Sequence, residues 1–306
     1  MKKIDVIKNR KIFIAIAAVF ILAGIVSFAI QQFNIDIDFS GGTEIQLNIG
    51  KEVTDDDCNK INSIIEEKLG KKYVSSTTKS TADANMAVIR TGSEELNNDQ
   101  QTTLLEAIDE AFAIDHSKVE CEINSVSATI GSRLLKTAIL SVIIAIVLMF
   151  AYIAIRFKFA SAIAAIICLC HDVLIMMTIY SIFQIPVNSN IIAALLTILG
   201  YSINATIIVF DRIRENKTRY ENFADAVNSS VRETFTRSLN TTITTLFTIG
   251  MIYILGVSSI RNFALPIIVG LVAGFFSSVF LSGMLWYSFD AIFSKSKEKK
   301  SADKSA

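Results

Sequence analysis

Histidine and proline are nearly absent from these 306 residues: there are two of each, His116, His171, Pro186 and Pro266. With so few imidazoles, and no metal-ligand run of His and Cys, neither a zinc site nor a histidine-based catalytic centre is expected. No glycine-rich phosphate loop precedes a lysine, and no serine stands in a nucleophile elbow. An enzyme is therefore not expected, nor any metal or cofactor. Nucleic acid is not expected as a partner, on another ground. The one polar stretch long enough to be a soluble domain is strongly acidic and lacks the basic, aromatic-studded surface that a phosphate backbone requires. Charge as a whole is sparse, 19% of the chain against 52% apolar residues.

Long apolar runs are what the chain does have. About 20 such residues cross the hydrocarbon core as a helix, and six stretches qualify: 12–30, 134–155, 159–183, 190–210, 239–256 and 263–289. The first follows Lys2, Lys3, Lys8, Arg10 and Lys11, a basic start shared with signal peptides. It is too long for a signal-peptide core, and no small-x-small cleavage pattern follows, so an uncleaved span is expected. Arg156, Lys158, the basic cluster 212–219, Arg232, Arg237 and the tail lysines Lys295, Lys297, Lys299, Lys300 and Lys304 fall on the side of the amino terminus. Only Arg261 sits in a short loop on the other side. Short basic loops stay in the cytoplasm, so both termini are expected inside and residues 31–132 outside.

The expected division is a cytoplasmic amino terminus (1–11), a first span (12–30), an extracytoplasmic domain (31–132), five further spans (133–289) and a basic cytoplasmic tail (290–306). Near 219–236, Tyr220, Phe223, Val227, Val231 and Phe235 recur at helical spacing opposite Glu221, Asp225, Asn228 and Arg232. That pattern predicts an amphipathic helix lying on membrane lipid, with a partner surface as the alternative.

Residues 31–132 carry 19 Asp and Glu against 8 Lys and Arg, a local net of −11 in a chain whose total is zero. Ile35, Ile37, Phe39 and then Ile45, Leu47, Ile49 alternate around a glycine pair, and Ile61, Ile64, Ile65, Leu69 recur at helical spacing. Val74 and then Met86, Val88 mark two short strands. Leu104, Leu105, Ile108, Ala111, Phe112 form a second helical face, and Val119, Cys121, Ile123 alternate again. Strand, helix, strand, strand, helix, strand suggests a ferredoxin-like α+β sandwich. In that fold Cys58, on the first helix, and Cys121, on the last strand, face one core; a disulfide and two buried thiols are the alternatives. Gly41 and Gly42 suit a bend where the chain leaves the membrane. The acidic residues around them match no calcium loop.

Polar residues inside the spans are few. Cys168 and Cys170 are expected to behave as small apolar groups. Asp172 in the third span is either paired structurally or part of an ion path, and adjacent His171 titrates nearest neutrality. Gly200, Asn204 and Asp211 share one side of the fourth span. In the fifth, Arg237, Asn240, Thr241, Thr244, Thr245 and Thr248 form a stripe that must face protein or water. Threonines there bond across a helix interface or back to their own turn. The third, fourth and fifth spans are expected to pack together, with Asn204, Asp211, Arg237 and Thr241 grouped toward the cytoplasmic half. Gly270 and Gly274 allow a close helix approach.

Several of these segments stand in a recognisable order: Asp38-Phe39-x-Gly41-Gly42, His171-Asp172, Gly200-Tyr-Ser-Ile-Asn204, Phe210-Asp-Arg-Ile-Arg-Glu-Asn216 and Arg237-Ser-Leu-Asn-Thr-Thr242. In them the chain resembles the SecD/SecF family of the RND superfamily, its smaller SecF branch in particular, over nearly its whole length. The resemblance implies an α-helical protein of the bacterial cell (inner) membrane with six transmembrane helices and one ferredoxin-like domain between spans 1 and 2. It implies SecD, the SecYEG channel and exported polypeptides as partners, and use of the transmembrane ion gradient to promote late steps of export. His171, Asp172, Asn204, Asp211, Arg237 and Thr241 become ion-pathway candidates, while Asp38, Phe39, Gly41, Gly42 and Gly200 become structural motif positions. One departure stands out: many relatives carry Asp after the asparagine of the fourth-span motif, where this chain has Ala205. The coupling charge must then come from Asp172, Asp211 or the partner, or the chain is mainly scaffold. A half-size RND exporter of small molecules or lipids is the alternative function, and would be expected to have two outer domains around an apolar cleft.

Overall fold

The computed structural model describes residues 5–70, 73–80, 84–92, 94–256 and 258–305. In chain order the first elements are α1 (Arg10–Gln31), α2 (Ile37–Ser40), β1 (Gly42–Asn48), α3 (Asp55–Lys68), β2 (Val74–Lys79), β3 (Met86–Thr91), α4 (Asn98–Phe112) and β4 (Cys121–Val126). Then follow α5 (Ala128–Arg156), α6 (Phe159–Ile182), α7 (Asn190–Asn216), α8 (Phe223–Leu255), α9 (Ser258–Phe276), a π-helical turn (Ser277–Leu281) and α10 (Ser282–Ser305). Two compact units result. One comprises Met1–Asn34, Leu140–Ile185 and Asn190–Ala306; the other comprises Ile35–Ile139 and Pro186–Ser189.

In the first unit, six helical segments among the described residues are long and apolar enough to span a bilayer: α1, α5, α6, α7, α8 and 263–293. Their burial is unequal. Half of the most apolar window of α6 is buried inside the protein against 11% for α1, α5 and α8, so α6 is interior and the other three offer broad outer faces. Small residues explain the centre: Ala160, Ala162, Ala164 and Ala165 are all buried, which lets α1, α7, α9 and α10 pack closely around α6. Where α1 crosses α6, a Cβ on Gly24 would lie 2.0 Å from the Thr178 hydroxyl, so only glycine fits.

Two expectations for this unit are corrected. No separate surface helix occupies 219–236; residues 223–236 are the first turns of the 33-residue α8, continuous with the fifth span. Its apolar side, Val227 and Val231, is fully buried in a cluster with Ile213, Met284 and Trp286 rather than laid on lipid. The amphipathic periodicity was real, and protein satisfies it. Arg261 lies within α9 instead of a loop.

The second unit is a four-stranded antiparallel sheet in the order β2-β3-β1-β4, with Ile45 opposite Ile89 on one side and Ile123 on the other. Ile45, Leu47, Ile61, Ile65, Ile89, Leu104 and Ile108 form its core with α3 and α4. Both helices begin in capping boxes, Thr54 with Asp57 and Asn97 with Gln100, which satisfy first-turn amides. The strand expected over Ile35, Ile37 and Phe39 is absent. Asp36 caps a single turn, Ile37–Ser40, by accepting from the Ile37 amide, and Gly41 at φ 75° ends it. Ile123, expected to face inward, is 38% exposed, because β4 is an edge strand.

Candidate functional site

Asp172 lies at the meeting point of three helical segments and is fully buried. Its Oδ2 accepts hydrogen bonds from Ser202 Oγ of α7 at 2.5 Å and from Ser277 Oγ of the π turn at 2.8 Å. Its Oδ1 lies 2.9 Å from His171 Nδ1, which donates whenever the carboxylate is ionised. Although adjacent helical side chains diverge by about 100°, the His171 ring folds back on its neighbour and tilts against Phe276, with centroids 5.9 Å apart. A buried carboxylate without donors would cost several kcal/mol. Here both oxygens are engaged, and among the described residues no Lys or Arg pairs with it.

Local sequence builds this meeting point. The buried side of α7 runs Ile191, Ala194, Leu195, Ile198, Ser202, Ala205, Thr206 and Val209 at helical spacing, so Ser202 faces inward with the apolar residues. Opposite, a Cβ on Gly270 would sit 2.2 Å from Ile198 Cδ1 and one on Gly274 3.3 Å from Ser202 Cβ, which fixes how near α9 comes. The π turn then begins at Ser277, one helical turn beyond Gly274. Such turns are frequent at functional sites, since the extra residue re-aims side chains. Ser202 and Ser277 were missed in the sequence. Their only signals were a serine inside the fourth-span motif and a Ser277-Ser278 pair in an otherwise apolar span.

The other ion-pathway candidates do not converge on Asp172. Asp211 and Arg237 line one groove of about 450 Å³ with Ile208, Arg212, Glu215, Glu233 and Thr234. Asp211 is half-buried, with Arg214 at 3.3 Å and Arg156 at 3.5 Å from Oδ1. Arg212 is paired with Glu215 and Glu233. Asn204 and Thr241, expected to join this group, are exposed on the outer faces of α7 and α8. Thr241 bonds to the Arg237 carbonyl, and Thr244, Thr245 and Thr248 likewise bond within their own helix. The face of α8 turned to α7 carries different polar residues, Thr234, Ser238 and Thr242, all buried. Tyr201 donates to Thr242 across that interface at 2.9 Å. Gly200 is exposed, with open space where a Cβ would be, so no close approach within this chain requires it. Ala205 is buried.

In the second unit, Asp38 accepts from the Ser189 amide and hydroxyl at 2.8 and 2.6 Å, and Phe39 is buried. Gly41 and Gly42 are required by conformation: φ is 75° and 119°, and a Cβ would meet Ala128 Cα at 2.7 Å and the Gly92 carbonyl at 2.5 Å. Behind them, Arg90 Nε donates to Glu44 at 2.7 Å and lies 3.6 Å from Asp36. Burial pushes the Asp36 carboxyl above its ordinary range, with Arg90 opposing. Cys58 and Cys121 are free thiols against the same core, and burial pushes both upward.

Residues 106–291, which contain α5 to α9 and the Asp172 cluster, match the family "Protein export membrane protein SecD/SecF, C-terminal". The chain belongs to the SecD/SecF family. It is 37% identical to the protein translocase subunit SecF of Acidaminococcus fermentans over 295 residues, 94% of this chain and 98% of that one. It is 34% identical to SecF of Petrotoga mobilis over 286 residues, 92% and 94% of the two chains. The protein translocase subunit SecDF of Bacillus subtilis is 33% identical across 93% of this chain, which spans 38% of that longer one. The crystal structure of SecDF, a translocon-associated membrane protein from Thermus thermophilus, superposes with a TM-score of 0.80 at 29% identity, covering 94% of this chain and 39% of that one.

Proposed function

We propose that this chain is the SecF-type accessory subunit of a Sec protein translocase, seated in the bacterial cell membrane beside SecD and acting with the SecYEG channel. Both termini are cytoplasmic, and the domain within 31–132 faces outward with a ferredoxin-like fold. The helix order and the strand order β2-β3-β1-β4 support that fold. The subunit uses the transmembrane ion gradient to promote the late release of exported polypeptide, and Asp172 carries the coupling charge. The observation that carries this reading is the Asp172 cluster itself. One ionisable carboxylate sits where α6, α7 and the π turn meet, so a change in its charge alters bonds to two other segments at once.

The outer polar faces support the SecD partnership. Asn204 and the Thr241 stripe lie exposed on helices that cross apolar lipid, and polar side chains there need protein or water beside them. Open space at Gly200 suits a helix of the partner. The test is export from membrane vesicles across imposed ion gradients. Asp172→Asn keeps shape and hydrogen bonding but cannot ionise, and is expected to lose the gradient-driven part of export while assembling with SecD. Equal gradient-driven export by wild type and Asp172→Asn would reduce Asp172 to a structural residue.

A further inference from the structure

We propose that Arg156 and Arg214, with Lys158 beside them, hold the phosphate of one anionic phospholipid where α5 ends. The α5 helix closes at Arg156 and α6 opens at Phe159, so only Phe157 and Lys158 separate the two spans. Phe157 sets its ring edge-on against Phe210 of α7, with centroids 5.9 Å apart. The guanidinium carbons of Arg156 and Arg214 lie 5.6 and 5.5 Å from the centre of that ring. One aromatic face thus positions two guanidinium groups carried by different spans.

Both groups are under-used. Their nearest anion is Asp211, whose Oδ1 lies 3.5 Å from Arg156 and 3.3 Å from Arg214. That oxygen accepts no hydrogen bond from either among the described residues, so the N–H forks are not spent on it. A guanidinium fork matches two oxygens of one phosphate. Charge agrees with the geometry. Lys217 and Lys158 share Asp290 at 3.1 and 3.9 Å, so four cations, Arg156, Lys158, Arg214 and Lys217, stand against two carboxylates, Asp211 and Asp290. Two positive charges are left over.

The surroundings select a lipid over free phosphate. Ile155, directly before Arg156, is 87% exposed, and Tyr152 and Phe159 are exposed as well. These residues belong to segments long and apolar enough to cross a bilayer, so the unspent forks border a surface suited to an acyl chain. Inorganic phosphate would meet the charge and leave that surface uncovered; a phospholipid satisfies both at once. The site needs no particular orientation of the spans. The cytoplasmic termini proposed above put it in the inner leaflet, whose negative headgroups attract Lys and Arg.

The experiment uses the full-length chain purified with SecD and stripped of lipid in detergent. Native mass spectrometry follows titration with dioleoylphosphatidylglycerol, and separately with dioleoylphosphatidylcholine. Wild type is expected to bind one phosphatidylglycerol about tenfold more tightly than phosphatidylcholine, without competition from inorganic phosphate. Arg156→Gln with Arg214→Gln should lose one tightly bound phosphatidylglycerol per complex. Arg156→Lys with Arg214→Lys keeps the charge without the fork, and should bind about tenfold more weakly than wild type. Lys118→Gln, at an exposed lysine of the other unit, should behave as wild type. Equal affinity of wild type for the two lipids, or no loss in the glutamine pair, would overturn the site. Full affinity in the lysine pair would overturn the role of the forks, and competition by inorganic phosphate would overturn the choice of a lipid. Binding by the chain alone that disappears when SecD is added would put SecD on these arginines and also overturn it. If SecD does not co-purify, the proposed partnership fails, and the same titration of the chain alone still decides the site.

Discussion

Replacing Gly270 by alanine adds one methyl group where there is no room for it. Its Cβ would lie 2.2, 2.6 and 3.1 Å from Cδ1, Cγ1 and Cγ2 of Ile198. Rotation of the terminal methyl relieves only the first of these, because Ile198 is β-branched, stiff at χ1 and 1% exposed. Overpacking of this kind costs about 1–3 kcal/mol. Moving α9 away instead would draw Ser277 off Asp172, and losing a hydrogen bond to a charged acceptor costs about 1.5–3 kcal/mol. Either route gives a loss of roughly 2 kcal/mol. Ile198→Ala alone should cost about 2–5 kcal/mol through the cavity it leaves. Together the two substitutions should compensate, with a coupling of about 1–3 kcal/mol. Unfolding free energies for the four members of this cycle, measured in detergent micelles, provide the check. If the effects add to within about 0.5 kcal/mol, α9 does not press on Ile198 as described, and the Gly270–Ile198 contact does not set the spacing that aims Ser277.

Gly42→Ala should destabilise the sheet unit by about 1–3 kcal/mol, since φ 119° and a 2.5 Å contact with the Gly92 carbonyl both oppose a side chain; faster amide exchange in β1 and β3 would report it. Asp57, held down to about 2 by Lys51 and Thr54 from an ordinary 3.8, gives acid sensitivity with a definite sign. A carboxyl depressed in the folded state contributes stability above pH 4 that is lost as pH falls toward 2. Asp57→Asn should therefore flatten the acid limb of the unfolding curve over that window. A cysteine at Thr241 should cross-link to SecD and resist a lipid-phase maleimide; strong labelling from lipid in the assembled complex would mean that the exposed stripe is not covered by the partner.

The spans were legible because a run of about 20 apolar residues has one physical use, and Ile61, Ile65, Leu104 and Ile108 could be assigned to helices because their period matched a buried face. The Asp172 cluster was half legible. A carboxylate in an apolar helix announces itself, but Ser202 and Ser277 do not, since serine in a span is ordinary packing material. What gives Ser277 its aim is a π turn, a backbone register that no side-chain pattern encodes. Around Asp36 the alternation of Ile35, Ile37 and Phe39 imitated a strand. The Asp36 cap and the positive φ of Gly41 overrode it, a case of local hydrogen bonding prevailing over periodicity.

The fifth span shows how a correct physical rule was applied to the wrong face. Its polar stripe has to avoid lipid, and the direct inference is that Arg237, Asn240 and Thr241 face the neighbouring spans of the same chain. The helix carries a second set, Thr234, Ser238 and Thr242, again at i, i+4 and i+8, and these are the buried ones. Each set taken alone satisfies the same rule, and nothing in the sequence ranks them. Packing decides: Thr242 meets Tyr201 across the α7 interface, which turns Thr241 outward. The outward threonines bond their own carbonyls, lowering the cost of that exposure without removing it, because Arg237 and Asn240 are also exposed on the same helix. A helix polar on two faces is stable in a bilayer only when both are enclosed. One face is enclosed by this chain. The other therefore requires a protein partner or a water-filled space beside it.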